Sequence, residues 1–423
     1  MSQSGIPARR AAAYLLDQVL GEARLLSELI GGGALNRLER DDRARAQRLA
    51  TETLRGLGRA DALLSNYVER IPPLPVQNIL RLAVIELCAG GAAHGVVNDA
   101  VTLVAKTRQH ASMKGMVNAV LRRVAKDGPT MWDTMPVPAL PDWLREPLVA
   151  GYGDKVVAAM EVAHFAGAPL DLTAKGDAAA LAAEVGGTLL PTGSVRLVEA
   201  GRVSGLPEYN AGTWWVQDAA AALPAKVLAP QAGERVLDLC AAPGGKTMQI
   251  AATGATVTAV DDAKSRMARL EENLTRTKLS AELVTMDMRK LTGEWDAILL
   301  DAPCSATGTI RRHPDLPFAK DGSDFMALIN LQARMLDHAL TLLKPGGRLV
   351  FCTCSLLPDE GECQIDEVLK RHPDLTVDRD ALALPGVDMG WITEEGGLRL
   401  RPDYWADKGG MDGFYMAMLR KPA

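Results

Sequence analysis

"RVLDLCAAPGGKT", residues 235–247, is a strand, a loop of small residues and the start of a helix. Val236, Leu237 and Leu239 supply the apolar run of a strand buried on both faces. Ala241, Ala242, Gly244 and Gly245 follow it and let a ligand approach the backbone closely. The helix N-terminus beyond them adds favourable amide dipoles. The loop is neither GxGxxG nor the GxxxxGK[ST] of a phosphate loop.

Downstream, "TVTAVD" (256–261), "AELVTMD" (281–287), "WDAILLD" (295–301) and "GGRLVFCTC" (346–354) repeat the strand signature. Helical stretches such as "SRMARLEENLTRTK" and "FMALINLQARMLDHALTLLK" separate them. This alternation predicts a parallel sheet covered by helices on both faces, with ligands bound beyond the carboxyl ends of the strands. Asp261, Asp287 and Asp301 all end strands there. Asp261 lies 21 residues after Cys240, the spacing at which an acidic side chain reaches ribose hydroxyls in nucleotide-binding sheets. A single strand-end aspartate is an ordinary cap or turn residue. Three in succession point to a shared nucleoside-type ligand.

Two cysteines occupy the same ends. Cys304 follows Ile298–Leu300 in "ILLDAPCSATG", and Cys354 follows Leu349–Phe351 in "LVFCTCSLLPDEG". The chain has six cysteines in 423 residues. No signal-peptide pattern or 18-residue apolar run suggests export or a membrane span, so a cytoplasmic protein is expected. Its thiols are then reduced, and a disulfide framework is excluded. No paired CxxC gives a zinc site, and no metal is expected. Reactive thiols or core packing remain for Cys304 and Cys354, with packing for Cys352 and Cys363.

The net charge of −5 conceals an asymmetry. Residues 1–126 carry 18 Lys and Arg against 11 Asp and Glu, a net of +7, and the remainder carries −12. The basic part shows apolar residues at three- and four-residue spacing over 8–20, 42–70, 76–90, 97–109 and 114–126, which predicts an all-α module at 1–126. Its charge suits a polyanion. Residues 127–164, with Pro129, Pro136, Pro138, Pro141 and Pro147 around Trp132 and Trp143, read as a Pro-rich linker. Residues 165–212 read as a small α+β subdomain, and 213–423 as the α/β domain, with Trp214 and Trp215 in its core.

"DLCAAPGGKT", "DAPCSATG", "RRHPD" and "TCS" together resemble the RNA cytosine-C5 methyltransferases, most closely the bacterial 16S rRNA methyltransferase B (RsmB or Sun) family. "VVNDAVTLVAK" and "MVNAVLRRVAK" resemble the antitermination factor NusB. The resemblance implies a NusB-like helical bundle, a small α+β middle segment and a Rossmann-like class I methyltransferase domain. It implies S-adenosylmethionine as cofactor, held by Cys240, Ala241, Ala242, Pro243, Gly244, Gly245, Lys246, Asp261, Asp287 and Asp301. Asp261 would hold the ribose and Asp287 the adenine, with Lys246 alternatively facing the RNA backbone. The implied partner is RNA, either 16S rRNA or an assembling small subunit. Cys354 becomes the nucleophile, Cys304 assists release, and Asp301 binds the cytosine. DNA cytosine-C5 enzymes use the cysteine of a PC motif as nucleophile, so the two roles could be exchanged. Arg311, Arg312 and His313 become phosphate contacts for a flipped-out nucleotide. Other RNAs (tRNA or large-subunit rRNA), or a NusB-like adaptor with a vestigial enzyme, are the alternatives. Oligomeric state is not legible, with a monomer the expectation.

Overall fold

The strand run beginning at Arg235 organises one of two compact units. The computed structural model describes residues 5–198 and 201–423. In chain order the strands are β1 (Leu170–Ala174), β2 (Thr188–Leu189), β3 (Val195–Leu197), β4 (Trp214–Val216), β5 (Arg235–Leu239) and β6 (Thr256–Asp261). β7 (Glu282–Thr285), β8 (Trp295–Asp301), β9 (Leu343–Thr353), β10 (Thr376–Val377), β11 (Leu398–Leu400) and β12 (Phe414–Arg420) follow. The larger sheet has the order β10-β12-β9-β8-β5-β6-β7, with β11 pairing to β12. The pairs β5–β6, β5–β8, β6–β7 and β8–β9 are parallel.

Sequential strands run outward from β5 through β6 to β7, and then the chain returns to β5's other side with β8. The strand order therefore reverses between β5 and β8, and a crevice opens beyond their carboxyl ends. Cys240 and Asp301 end those two strands. The all-parallel expectation needs correction at one edge, because β12 is antiparallel to β9 from Arg348↔Arg420 to Thr353↔Tyr415. "FYMAMLR" is buried along six of its seven positions. It carries no alternation that distinguishes an inserted antiparallel strand from a core helix segment.

β5 also carries an acid into the core. Asp238 is fully buried, and Thr247 Oγ1, in the first turn of the helix Gly245–Ala252, donates to its Oδ2 at 2.6 Å. The bond fixes that helix against the strand and so sets the loop 240–246 between them. Gly244 sits at φ +101°, where a Cβ would meet the Leu270 side chain at 2.8 Å, so only glycine makes this turn easily.

The small sheet, in the order β2-β3-β1-β4, lies in the same unit as the large one. Residues 165–212, read as a small α+β subdomain, supply β1, β2 and β3 of this sheet, while its fourth strand, β4 (Trp214–Val216), lies wholly beyond that stretch. "SVRLVEAG" forms β3, and its Glu199 and Ala200 lie outside the described residues. Trp214 and Trp215 are buried, as the sequence suggested. Arg196 and Asp171 form a bidentate pair at 2.7 Å with both side chains under 4% exposed, and Arg196 Nη1 also donates to the Gly410 carbonyl.

The other unit comprises residues 1–149, 153–167 and 310–321. Its helices are α1 (Ile6–Glu22), α2 (Leu26–Gly31), α3 (Arg40–Arg55), α4 (Leu57–Leu64), α5 (Leu74–Cys88), α6 (Ala93–Lys106), α7 (Lys114–Thr134), α8 (Asp142–Tyr152) and α9 (Asp154–Ala166). The single helix expected over 42–70 is two, divided at Gly56, where Ile85 and Trp132 leave no room for a side chain.

The expected linker 127–164 is largely helical. α7 continues through Pro129, and α8 and α9 follow. Proline reads as a breaker because it removes a donor, but packing overrides it here. Arg59 donates to the carbonyls of Trp132, Met135 and Pro136, satisfying acceptors that the end of α7 leaves open. Its guanidinium also lies over the rings of Trp132 and Phe165. Residues 310–321 belong to this unit through local bonds: Leu26 N donates to Asp315, Trp143 Nε1 to the Pro317 carbonyl, and Arg55 Nη2 to the Arg311 carbonyl.

Burial pushes the Asp238 carboxyl up to about 7, against the opposing hydrogen bond from Thr247. The unfolded chain releases this proton near pH 4. Folding therefore retains a proton between these values, and stability declines as pH rises from about 4 to 7, at up to about 1.4 kcal/mol per pH unit. Asp238→Asn keeps an acceptor for Thr247 but removes the titration. The Tm of the variant relative to the native chain should rise between pH 5 and 7 and then level off. A pH-independent difference in thermal scans would refute the assignment.

Candidate active site

The crevice at the β5/β8 reversal is a cavity of about 440 Å³. Cys240, Ala242, Asp261, Asp287, Asp301, Cys304 and Cys354 all reach it. Residues from four strand ends and two loops thus converge as the topology requires. Ala241, Pro243, Gly244, Gly245 and Lys246 are not on its wall; they shape the turn behind it. Two wall residues other than glycine are left-handed, Cys240 at φ 60° and Ala306 at φ 59°. Each such conformation costs on the order of 1 kcal/mol and persists only where surrounding structure enforces it.

Asp261 is 3% exposed. Its Oδ1 accepts from Ala263 N at 3.0 Å and Arg266 Nη2 at 2.9 Å, and its Oδ2 from Ala242 N at 3.3 Å. A carboxylate has about four acceptor positions, so Oδ2 can take one more donor from the cavity. Asp287 accepts from the backbone and guanidinium of Arg289, which hold its carboxyl down at about 2.

Lys246 is largely enclosed, its side chain 11% exposed, and its Nζ meets Asp301 Oδ2 at 2.8 Å. Burial alone would lower the ammonium's pKa, but the Asp301 carboxylate more than offsets this and raises it. The alternative of a lysine facing an RNA backbone is therefore corrected: its charge is spent inside the protein. Cys352, buried beside it, directs its thiol to Asp301 Oδ1 at 3.5 Å, so it does more than fill space. Cys363 is exposed, and the packing role expected for it does not hold.

Cys304 Sγ and Cys354 Sγ lie 3.5 Å apart. The hydrogen bond with Cys354, then burial, then the charges of Cys354 and Glu360, hold the Cys304 thiol well above its usual range. Cys304 is thus held in its protonated form.

Behind the two thiols is a polar network that the sequence reading did not single out. Glu360 is fully buried. Its carboxylate accepts from Ser305 N at 2.9 Å, Ser305 Oγ at 2.5 Å and Gln332 Nε2 at 3.0 Å. Ser305 Oγ meets Ser355 Oγ at 3.1 Å, Thr307 Oγ1 accepts from Leu356 N, and Thr353 Oγ1 donates to the Glu360 carbonyl. Gly308 N donates to the Cys354 carbonyl at 2.9 Å, and a Cβ on Gly308 would lie 2.0 Å from the Gly413 oxygen. The residue following each cysteine is a serine, and both serines turn into the same buried cluster. That repeated CS was the available signal.

Arg311 is corrected as a phosphate contact, since its side chain is fully buried in the helical unit. Arg312 is exposed, whereas burial followed by the neighbouring Arg312 charge lowers the pKa of half-buried His313. Among the described residues no cluster of His, Cys, Asp and Glu is arranged to hold a metal, and no helix is long and apolar enough to cross a membrane.

The acidic cavity suits a ligand that brings positive charge and hydroxyl groups. Comparisons with known proteins agree with this reading. Residues 225–420 match the model of the 16S rRNA methyltransferase RsmB/F family, and residues 6–126 match the NusB family. Ribosomal RNA small subunit methyltransferase B of Pseudomonas putida is 36% identical over 98% of this chain and 98% of its own length. The protein of the same name from Vibrio cholerae is 33% identical over 98% and 97%. The crystal structure of PH0851 shares the fold over the full length of both chains, with a TM-score of 0.76 at 23% identity. A methyltransferase homolog protein from Pyrococcus horikoshii matches with a TM-score of 0.55 at 27% identity, over 66% of this chain and 95% of that one. The chain belongs to the ribosomal RNA small subunit methyltransferase B family, whose methyl donor is S-adenosylmethionine.

Proposed function

We propose that the chain methylates C5 of a cytosine in small-subunit ribosomal RNA through a covalent Cys354–C6 adduct. The observation that carries this reading is the pair of thiols 3.5 Å apart on the wall of the acidic cavity, one of them held protonated. The names of the relatives support the substrate class.

S-adenosylmethionine supplies an electrophilic methyl group on a sulfonium. Its positive charges suit a cavity walled by Asp261, Asp287 and Asp301. The free acceptor position on Asp261 Oδ2 takes a ribose hydroxyl, and Asp287 lies at the next strand end for the adenine. Cytosine C5 is too weak a nucleophile to take the methyl unaided. The Cys354 thiolate adds to C6, and the C5=C6 electron pair moves to C5. Asp301 accepts a hydrogen bond from the cytosine amino group, and Lys246 keeps that carboxylate oriented. The C5 pair then forms the carbon–methyl bond as the donor's S–CH3 bond breaks, its electron pair staying on the sulfur of the departing S-adenosylhomocysteine.

Cys304 acts afterwards. Two of the effects that keep it protonated, the hydrogen bond with Cys354 and the charge of Cys354, disappear once the Cys354 sulfur is bonded to C6. Cys304 then gives its own proton to solvent and accepts the C5 proton. The C5–H electron pair re-forms C5=C6, and the C6–S bond breaks to return Cys354 as thiolate.

The two cysteines should therefore fail differently. Cys354→Ala should lose turnover and form no adduct, whereas Cys304→Ala should accumulate protein–RNA adduct that survives denaturing electrophoresis. The reverse pattern would exchange the roles. Turnover intact in both variants, with no adduct in either, would end the covalent mechanism.

Asp261→Ala should weaken S-adenosylmethionine binding by about 2 kcal/mol, some thirtyfold, measured by calorimetry on folded protein. An unchanged affinity would remove Asp261 from the ribose.

Glu360→Ala would leave Ser305 N buried without its acceptor, at about 1–3 kcal/mol, and would remove one partner each from Ser305 Oγ and Gln332 Nε2. Methyl transfer should fall at least tenfold while cofactor affinity stays within twofold, with partial recovery in Glu360→Gln. A proportional loss of cofactor binding would indicate general unfolding instead.

A further inference from the structure

Some cations of the helical unit form ion pairs, and others, Arg37 and Arg48 among them, form none among the described residues. Arg9 bridges Glu86 and Asp99, Arg45 pairs with Glu86, Arg55 with Glu52, and Arg81 with Asp61. These charges are neutralised within the unit. Residues 100–126 contain Lys106, Arg108, Lys114, Arg122, Arg123 and Lys126 and no Asp or Glu. None of the six forms an ion pair among the described residues, although Arg123 lies over the Tyr67 ring at 4.7 Å. Cations outnumber the acids Asp99, Asp127 and Asp133 over residues 93–134, and their mutual repulsion is unfavourable to the fold itself. The excess suits an anion from outside.

The arrangement of these residues says which kind of anion. Lys114, Asn118, Arg122 and Lys126 recur every four residues along α7, which places them in one stripe over about 18 Å of helix. The three cations are exposed. Beside the stripe, a groove of about 310 Å³ runs between α6 and α7. Its polar lining is His94, Asn98, Asn118 and Arg122, and its floor is Val97 and Val101. Arg122 Nε donates to Asn118 Oδ1 at 3.2 Å, which turns the amide nitrogen of Asn118 outward as a donor. The Asn98 amide makes no hydrogen bond to another described residue. Carboxamides presenting donors and acceptors beside an apolar floor match the edge and face of an unstacked base. The cationic stripe matches the phosphates on either side of it.

We propose that this groove is a docking site for single-stranded RNA, with one base between Asn98 and Asn118 and its flanking phosphates on Lys114, Arg122 and Lys126. The inference rests on the RNA reading above and adds where the helical unit grips that substrate. A protein partner is less well matched, because a stripe of exposed cations with only a short apolar floor lacks the desolvated core of a protein interface.

The test uses the full chain and a fluorescein-labelled, unstructured RNA oligonucleotide of mixed sequence, followed by anisotropy from 50 to 300 mM salt. The double variant Arg122→Glu, Lys126→Glu should bind about tenfold more weakly. Its slope of log affinity on log salt should be shallower by about 1.4, two phosphate contacts at about 0.7 each. The matched reversal Arg37→Glu, Arg48→Glu, at two exposed positions on α3 and the segment before it, should change affinity less than threefold. Asn118→Ala should weaken binding without altering the slope, since it contacts no phosphate. Arg122→Gln with Lys126→Gln serves if the glutamate pair fails to fold. Equal losses in both charge reversals, or an unchanged slope in the α7 variant, would overturn the groove while leaving the methyltransferase reading intact. That reading fails separately, if the native chain transfers no tritiated methyl to small-subunit rRNA. Methyl transfer that falls in the α7 variant while RNA affinity is unchanged would assign the stripe to a protein instead.

Discussion

The catalytic end of the molecule depends on one buried carboxylate. Glu360 has no exposure, and it accepts from the loop that carries Cys304 and from Gln332 on the neighbouring helix. Its own backbone carbonyl is held by Thr353, next to Cys354. The two thiols arrive from strands paired in parallel, β8 and β9, whose ladder runs to Asp301↔Cys352 and leaves the rest of each loop to be fixed by other bonds. A negative charge that can be satisfied only when both loops close around it supplies them. A buried anion without these donors would cost several kcal/mol, so the closed arrangement of the loops is the one the fold can tolerate.

Charge is handled differently in the two units. The catalytic unit concentrates acids at strand ends, where they attract a cationic cofactor, and pairs its one inner lysine, Lys246, with Asp301. That pair removes a cation that would otherwise repel the sulfonium and fixes the Asp301 carboxylate on the cavity wall. The helical unit neutralises the arginines on its inner helices but leaves those of residues 100–126 unpaired.

The buried acid Asp238 serves cofactor binding indirectly. Its bond to Thr247 fixes the helix whose N-terminus follows the cofactor loop, at the expense of stability above neutral pH. Stability is given up here for position, a common exchange at functional sites.

Much of this was legible in the chain alone. The strands β5 to β9, the strand-end aspartates and the two cysteine loops all follow from local signals: apolar runs of fixed length, turn residues and motif spacing. Such signals survive without tertiary information because each resides in one contiguous segment. The helix through Pro129 was not legible, because the carbonyls that Arg59 satisfies at its end lie more than 70 residues away. The antiparallel strand β12 was hidden for a similar reason, since a strand buried on both faces has no alternation to read. Arg311 looked like a surface phosphate contact and is fully buried, because its loop packs with the helical unit. Glu360 sat in plain view as one acid among three in "PDEGE". Only the tertiary structure decided which of them is buried, because burial is set by what the rest of the chain places on top.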